Sequence, residues 1–329
     1  MPVSRRNFLG GLLSSTLAIG GQLFDAARAQ TGAQTAAPLI TNYNPGNRAA
    51  LIEGKTLLIA LSFPSPLAGL QGSFPIQIEP VSAGGALLTE PQELFFYPTA
   101  DRRTFRAILS APLDAQPGTS QLQIIARTSR GAHQQWSFPY LIQRGVYRST
   151  SLTLDENFSS PPPDVAARMR RDFETVVEIY KQRTERRWRD AFIRPVPGAD
   201  NDNFGVRRTV NQTKRYRHIG LDFKAATGTL VRAMNDGKVV LSTEQWTPGQ
   251  TVCIDHGGGI FSKYNHLSER RVREGETILR GQVIALSGSS GGQKSPPHLH
   301  LDIIVNRTAV DPEDFMRTAA QMVALDGAG

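Results

Sequence analysis

Cysteine is almost absent from this chain: Cys253 is the only one in 329 residues, which excludes a disulfide framework and any cysteine-based zinc knot. It stands in TVCIDHG, an apolar strand-like setting that predicts a buried structural thiol rather than a reactive one. Long apolar runs are missing as well. No stretch reaches the roughly 18–20 uninterrupted residues of a spanning helix, so an internal membrane span is excluded. With 40% hydrophobic and 20% charged residues the composition is that of a folded chain, which rules out wholesale disorder. Histidine is scarce too, six in all, yet five of them fall after residue 217.

The first 29 residues have the three parts of an export signal. Arg5 and Arg6 form an arginine doublet, Phe8 to Gly20 a weakly apolar core, and Ala27 with Ala29 a small-residue cleavage site. The order Ser-Arg-Arg-x-Phe-Leu resembles the twin-arginine signal, which exports folded proteins, so a periplasmic or extracellular location is expected. Arg5, Arg6 and Arg28 against Asp25 account for two of the net +8 charges and leave +6 on the remainder. A basic exported protein is drawn to anionic polymers, and at that location to the envelope rather than to nucleic acid.

From residue 39 to 148 short β-type runs (TLLIALSF, TFRAILSAP, SQLQIIART, QQWSFPYLI) alternate with Gly, Pro, Asp and Ser clusters, the pattern of an immunoglobulin-like β-sandwich. His133, in RGAHQQ, is expected in an exposed turn. The period then changes. Residues 160–192 predict a basic amphipathic linker helix, with Asp164 as its N-cap and Val165, Met169, Phe173, Val176, Val177 and Tyr180 on one face. Its other face carries arginines, a candidate contact for anionic envelope polymers. From 193 to 318 the β pattern returns with Gly-rich turns, predicting an antiparallel β domain with little helix and a mainly β protein overall.

The chemistry concentrates in RHIGLD, YNHLS and HLHLD, which hold His218, Asp222, His266, His298 and His300. Residues two apart on a strand share a face, so His298 and His300 project together. Imidazole suits zinc, and a hydrolytic zinc site takes three protein ligands and keeps one position open. Asp222 is a natural third ligand, with His218 and one of the two HLH histidines. That leaves the other histidine and His266 to move a proton and stabilise an oxyanion. Four residues of regular strand span about 13 Å, too far for His218 and Asp222 to meet on one ion. Either the chain curls there, which Gly220 permits, or it is helical, against which the β-type residues that follow argue. The HEXXH helix of many zinc proteases is absent. His256, before three glycines, is expected to cap a hairpin turn.

These motifs, in this order, resemble the lysostaphin-type, LytM-like zinc metallopeptidases that cleave peptides of bacterial peptidoglycan. The likeness covers about residues 204–315: FGVRR, HIGLD, GTLVRAMNDGKVV, IDHGGG with YNHLS, GQVIALSGSSG, PHLHLDI and AVDPEDF. The resemblance implies a two-layer β-sandwich with Zn2+ held by His218, Asp222 and His300 in an open groove. His298 would be the general base and His266 the transition-state stabiliser, or the reverse. Pro296 and Pro297 stand where the family commonly has Gly-Pro, and SGSSGGQKS is longer than usual; both bear on substrate preference.

Three other functions compete. A non-catalytic relative that activates other wall hydrolases is disfavoured by the presence of every expected ligand. A lipoyl-type carrier needs a lysine after the hairpin methionine, whereas Met234 is followed by Asn235. A purely carbohydrate-binding protein would not need five clustered metal-type residues.

Overall fold

The computed structural model describes residues 37–43, 50–74, 92–127, 133–153, 160–212, 214–292 and 295–327; the leader-like segment 1–29 lies outside them. The first nine strands are β1 (Leu39–Tyr43), β2 (Leu51–Ile52), β3 (Thr56–Ser62), β4 (Gly69–Phe74), β5 (Gln92–Glu93), β6 (Tyr97–Pro98), β7 (Thr104–Ser110), β8 (Gly118–Arg127) and β9 (His133–Gln143). They form two sheets, β1-β3-β7-β6 and β2-β9-β8-β4-β5. Leu57, Ile59 and Leu61 from one sheet and Leu122, Ile124, Trp136 and Phe138 from the other share an apolar core. His133 is the first residue of β9 rather than part of a turn.

TLLIALS is apolar without alternation because both of its faces are covered. Leu57, Ile59 and Leu61 point into the first core, while Leu58, with Ile108 of β7, joins the core of the C-terminal half. The two halves are thus fused across one face of the first sheet. Ser110 Oγ donates to Val305 O at 3.1 Å, and Asn306 Nδ2 to Ile108 O at 3.0 Å.

Helix α1 spans Pro163–Tyr180 and differs from expectation at both ends. It begins on a proline pair, with Pro162 at the N-cap and no side-chain capping bond, so Asp164 lies inside the first turn. Proline's fixed φ suits that first turn, and the Asp164 carboxylate still favours the positive end of the helix dipole. Residues 181–192 are not helical. They run as a strap along β16 (Gly249–Gly257): Arg187 N donates to His256 O, and Gly258 N to Thr184 O, each at 2.9 Å. Tertiary packing overrides helix propensity here, because an extended strap buries Trp188 and Phe192 in the main core. Of the arginines expected on the helix, Arg186 instead stacks over Trp188 at 3.7 Å and pairs with Asp326 at 2.7 Å.

The remaining strands are β10 (Ser149–Leu152), β11 (Arg207–Val210), β12 (Lys214–Arg217), β13 (Leu221–Lys224), β14 (Leu230–Arg232) and β15 (Gly237–Gln245). After β16 come β17 (Ile260–Arg270), β18 (Thr277–Ile278), β19 (Val283–Ser287), β20 (His298–Val305) and β21 (Thr308–Val310), and then helix α2 (Pro312–Gly327). β10, β11 and β12 make a small sheet of their own. The others form one nine-stranded hydrogen-bonded sheet. β17 belongs to both of its parts: it pairs with β20 over Ile260–Asn265 and, beyond a bulge, with β19 over Leu267–Arg270.

On β20, Leu299, Leu301, Ile303 and Val305 face the main core. The opposite face carries His298, His300, Asp302 and Ile304. α1 covers one end of that opposite face, where Val176, Ile179 and Tyr180 pack on Cys253, Phe261 and Ile304. Cys253 is therefore a core thiol, and burial pushes its pKa up. α2 closes the joint between the halves: Thr56 N and Oγ1 donate to Asp314 Oδ2 at 2.8 and 2.9 Å, and Lys55 pairs with Asp311.

Candidate metal centre

Strand register brings the site together. Asp222 of β13 lies opposite His300 of β20, which lies opposite Asn265 of β17, so three side chains form one rung across three strands. His218 comes from the turn between β12 and β13. Because residues 218–220 leave the strand, His218 Nε2 returns to within 3.2 Å of Asp222 Oδ1. Gly220 permits this by close approach: a Cβ there would lie 2.4 Å from His300 Nε2 and 2.6 Å from Asp302 Oδ1. His300 Nδ1 stands 2.7 Å from Asp222 Oδ1 and 3.1 Å from His218 Nε2. Three ligand atoms thus converge on one point, and the expected trio is the cluster found among the described residues.

The outer ring atoms are held in place. His218 Nδ1 donates to Asn203 O at 2.9 Å, which leaves Nε2 facing the cluster. His300 Nε2 is 2.7 Å from Asp302 Oδ1, a carboxylate–histidine pairing that leaves Nδ1 facing inward. Burial works to raise the Asp222 carboxyl, but hydrogen bonds from His218 and His300 outweigh it and hold the carboxyl far below the usual range. Burial lowers His218. At His300 burial also acts downward, but the Asp302 and Asp222 carboxylates prevail and raise its pKa to about 9. The cluster therefore favours positive charge between two carboxylates, which is the demand a divalent cation meets. Two imidazoles, one carboxylate and fixed outer hydrogen bonds are a donor set that fits zinc.

His266 and His298 stand beside this cluster with ring centroids 4.8 Å apart. His266 Nδ1 donates to Ser290 O and His298 Nδ1 to Pro296 O, both at 2.8 Å, so each ring leaves Nε2 for the groove. His298 Nε2 is 3.8 Å from Asp222 Oδ1. Burial, aided by the neighbouring His300, lowers the His266 pKa to about 4, so the ring is neutral at pH 7. Its backbone sits at φ 60, a left-handed conformation uncommon for a residue with a side chain, held by His266 N donating to Pro248 O at 2.8 Å. All five expected site residues are therefore neighbours.

His256 is not one of them, and the backbone carbonyl it caps belongs to the bend before β15 rather than to the hairpin that follows His256. It is buried on β16, with Nδ1 donating to Asp236 O and Nε2 against Ser262 Oγ, each at 2.7 Å. Three supporting residues escaped sequence reasoning. Asn203 accepts from Asp222 N and donates to Asp222 Oδ2, at 3.0 and 2.7 Å. Asn265 Nδ2 donates to Asp302 Oδ2 at 3.0 Å. Asp302 had a signal: it continues the alternation of His298 and His300 on one face.

The site opens into a groove of about 930 Å³. One wall comes from α1, through Met169, Arg170 and Phe173, and another from β10 to β12. Phe173, expected to be inward, is 44% exposed because this half of α1 overhangs the groove instead of resting on the sheet.

Residues 216–312 match the model of Peptidase family M23, and the candidate donor trio lies within that stretch. The peptidoglycan DD-endopeptidase ShyA of Vibrio cholerae is 39% identical over 112 residues, 34% of this chain and 26% of its own. The glycyl-glycine endopeptidase ALE-1 of Staphylococcus capitis is 37% identical over 110 residues, 31% of this chain and 30% of its own. The chain thus matches less than a third of either relative's length. A Pseudomonas aeruginosa crystal structure whose description names peptidase M23 shares the fold, with TM-score 0.58 over 83% of this chain and 96% of that one at 21% identity.

Proposed function

We propose that this protein is a zinc metalloendopeptidase that hydrolyses peptide cross-links of bacterial peptidoglycan. The observation that carries the reading is the convergence of His218 Nε2, Asp222 Oδ1 and His300 Nδ1 within 3.2 Å of one another, beside the Nε2 atoms of two further histidines. His218, Asp222 and His300 would hold a zinc ion, whose Lewis acidity when bound would polarise a carbonyl and make water more acidic. His298 Nε2 then takes the proton of the attacking water and returns it to the leaving amine. His266, whose Nδ1 proton is held by Ser290 O, stabilises the oxyanion once its Nε2 is protonated, or the two histidines exchange these parts. Asp302 and Asn203 position the rings and carboxylate that would hold the ion.

The wider reading is consistent with this chemistry. Residues 1–29 would act as a twin-arginine leader, placing the enzyme in the periplasm or outside the cell. The N-terminal two-sheet unit is read as an immunoglobulin-like accessory domain, and the exposed Arg168, Arg170 and Arg171 of α1 as a contact for anionic envelope polymers.

The test combines zinc content with release of new amino groups from purified peptidoglycan. The native protein is expected to hold zinc and cleave. His298→Ala should keep zinc but lose about 10²-fold or more in rate, and His300→Ala should lose both. A native protein that binds zinc yet cleaves nothing would instead be a non-catalytic activator of other wall hydrolases.

A further inference from the structure

The small sheet β10-β11-β12 turns one face toward the groove. Its register sets Thr150 opposite Arg208 and Arg208 opposite Tyr216, a row of three side chains that all line the groove. Arg148 lies two residues before Thr150 on the same face, and His218 two residues after Tyr216. The row thus leads from the rim to a metal-site histidine. Arg148 and Arg208 both precede residue 216, where the family match begins.

Arg208 is the unusual member. Its side chain is only 18% exposed, and its nearest carboxylate oxygen, Asp222 Oδ2, is 3.6 Å away, beyond hydrogen-bonding distance. That oxygen already accepts from Asn203 Nδ2 at 2.7 Å. The other cations of this wall are differently engaged. Arg217 is neutralised by Glu53 and Asp114, whereas Arg148, among the described residues, donates to the backbone carbonyls of Asn201 and Asp202. Among the described residues the one ion pair of Arg208 is the loose contact with Asp222, so an anionic ligand would further offset the hydration that the guanidinium has lost. Its planar donor fork matches a carboxylate.

We propose that Arg208, flanked by Thr150 and Tyr216 and with Arg148 at the rim, forms a subsite for a free carboxylate of the substrate peptide beside the scissile bond. The preferred substrates are then acidic cross-linked peptides, and not neutral glycine bridges or amidated chains. This rests on the hydrolase reading above. It deepens that reading by naming the substrate class.

The experiment uses two cross-linked peptides that differ only in one group beside the scissile bond, a free carboxylate or its amide. Hydrolysis is followed with the zinc-loaded full chain, and binding is measured separately by calorimetry on His298→Ala. The acidic peptide should bind about tenfold more tightly and be cleaved with a correspondingly higher kcat/KM. Arg208→Gln should abolish the preference through the KM of the acidic peptide, and Arg208→Lys should restore part of it. Thr150→Val, at an exposed position, should weaken the preference without touching the fold. Equal binding of the two peptides by the unsubstituted subsite would overturn the proposal, as would an Arg208→Gln protein that loses both peptides in the same proportion. If neither peptide is cleaved but the acidic one still binds preferentially, the hydrolase reading fails and the subsite stands.

Discussion

Two ends of one sheet face carry opposite chemistry on the same strands. At the end covered by α1, Phe261 of β17 faces Ile304 of β20, and the helix seals them with Val176 and Tyr180. Two rungs further along, Asn265 faces His300, next to Lys263 and Asp302, and the face opens into the groove. Backbone pairing and alternation are continuous between the ends, so only residue type separates core from site. The covered end is an anchor whose apolar contacts fix the register. The open end uses that register to bring polar atoms within 3 Å of each other across strands.

Exchanging the chemistry of the two ends tests that division. The largest effect is expected from His300→Leu, which extends the apolar end into the open one: zinc and peptide hydrolysis should both vanish in metal analysis and amino-group release. At the covered end Phe261→Ala should cost about 3–5 kcal/mol in urea unfolding, yet leave zinc stoichiometry intact. A loss of zinc there would mean the ends are not separable.

A smaller effect comes from the buried imidazole behind both ends. Burial lowers the His256 pKa to about 4, below its ordinary 6.5. The unfolded chain then takes up a proton at a pH where the folded one does not, so stability is complete above about pH 6.5 and falls as pH drops toward 4. The loss is roughly 3 kcal/mol, and unfolding of His256→Gln at pH 7 and pH 4.5 should lack most of that pH dependence. The smallest change is Asp302→Asn, which removes the charge behind His300 and should weaken zinc about 10- to 100-fold by competition with a chelator. An unchanged affinity would make Asp302 a core residue only.

The candidate trio His218, Asp222 and His300 was legible in the sequence because each sits in a short motif, and the alternation in HLHLD reaches Asp302 as well. Asn203 was not legible: it meets Asp222 across 19 residues through a turn that local pattern does not specify. The end of α1 was misjudged because helix periodicity continues past Tyr180, whereas the need to bury Trp188 and Phe192 decides the backbone. TLLIALS announced a strand buried on both faces, but nothing in it named the second partner. That partner is the C-terminal half of the same chain.

The joint made by α2 also has a consequence in time. Thr56 and Asp314 are 258 residues apart, and Phe315, Ala319 and Met322 complete the core that Leu58 and Ile108 enter. During synthesis the first sheet is finished long before its cover exists. Leu58 and Ile108 lack the α2 part of their cover until the ribosome has delivered residues beyond 310, a long interval in which an apolar face invites aggregation. Nascent chains halted before Asp311 should accordingly bind a hydrophobic dye that full-length chains exclude.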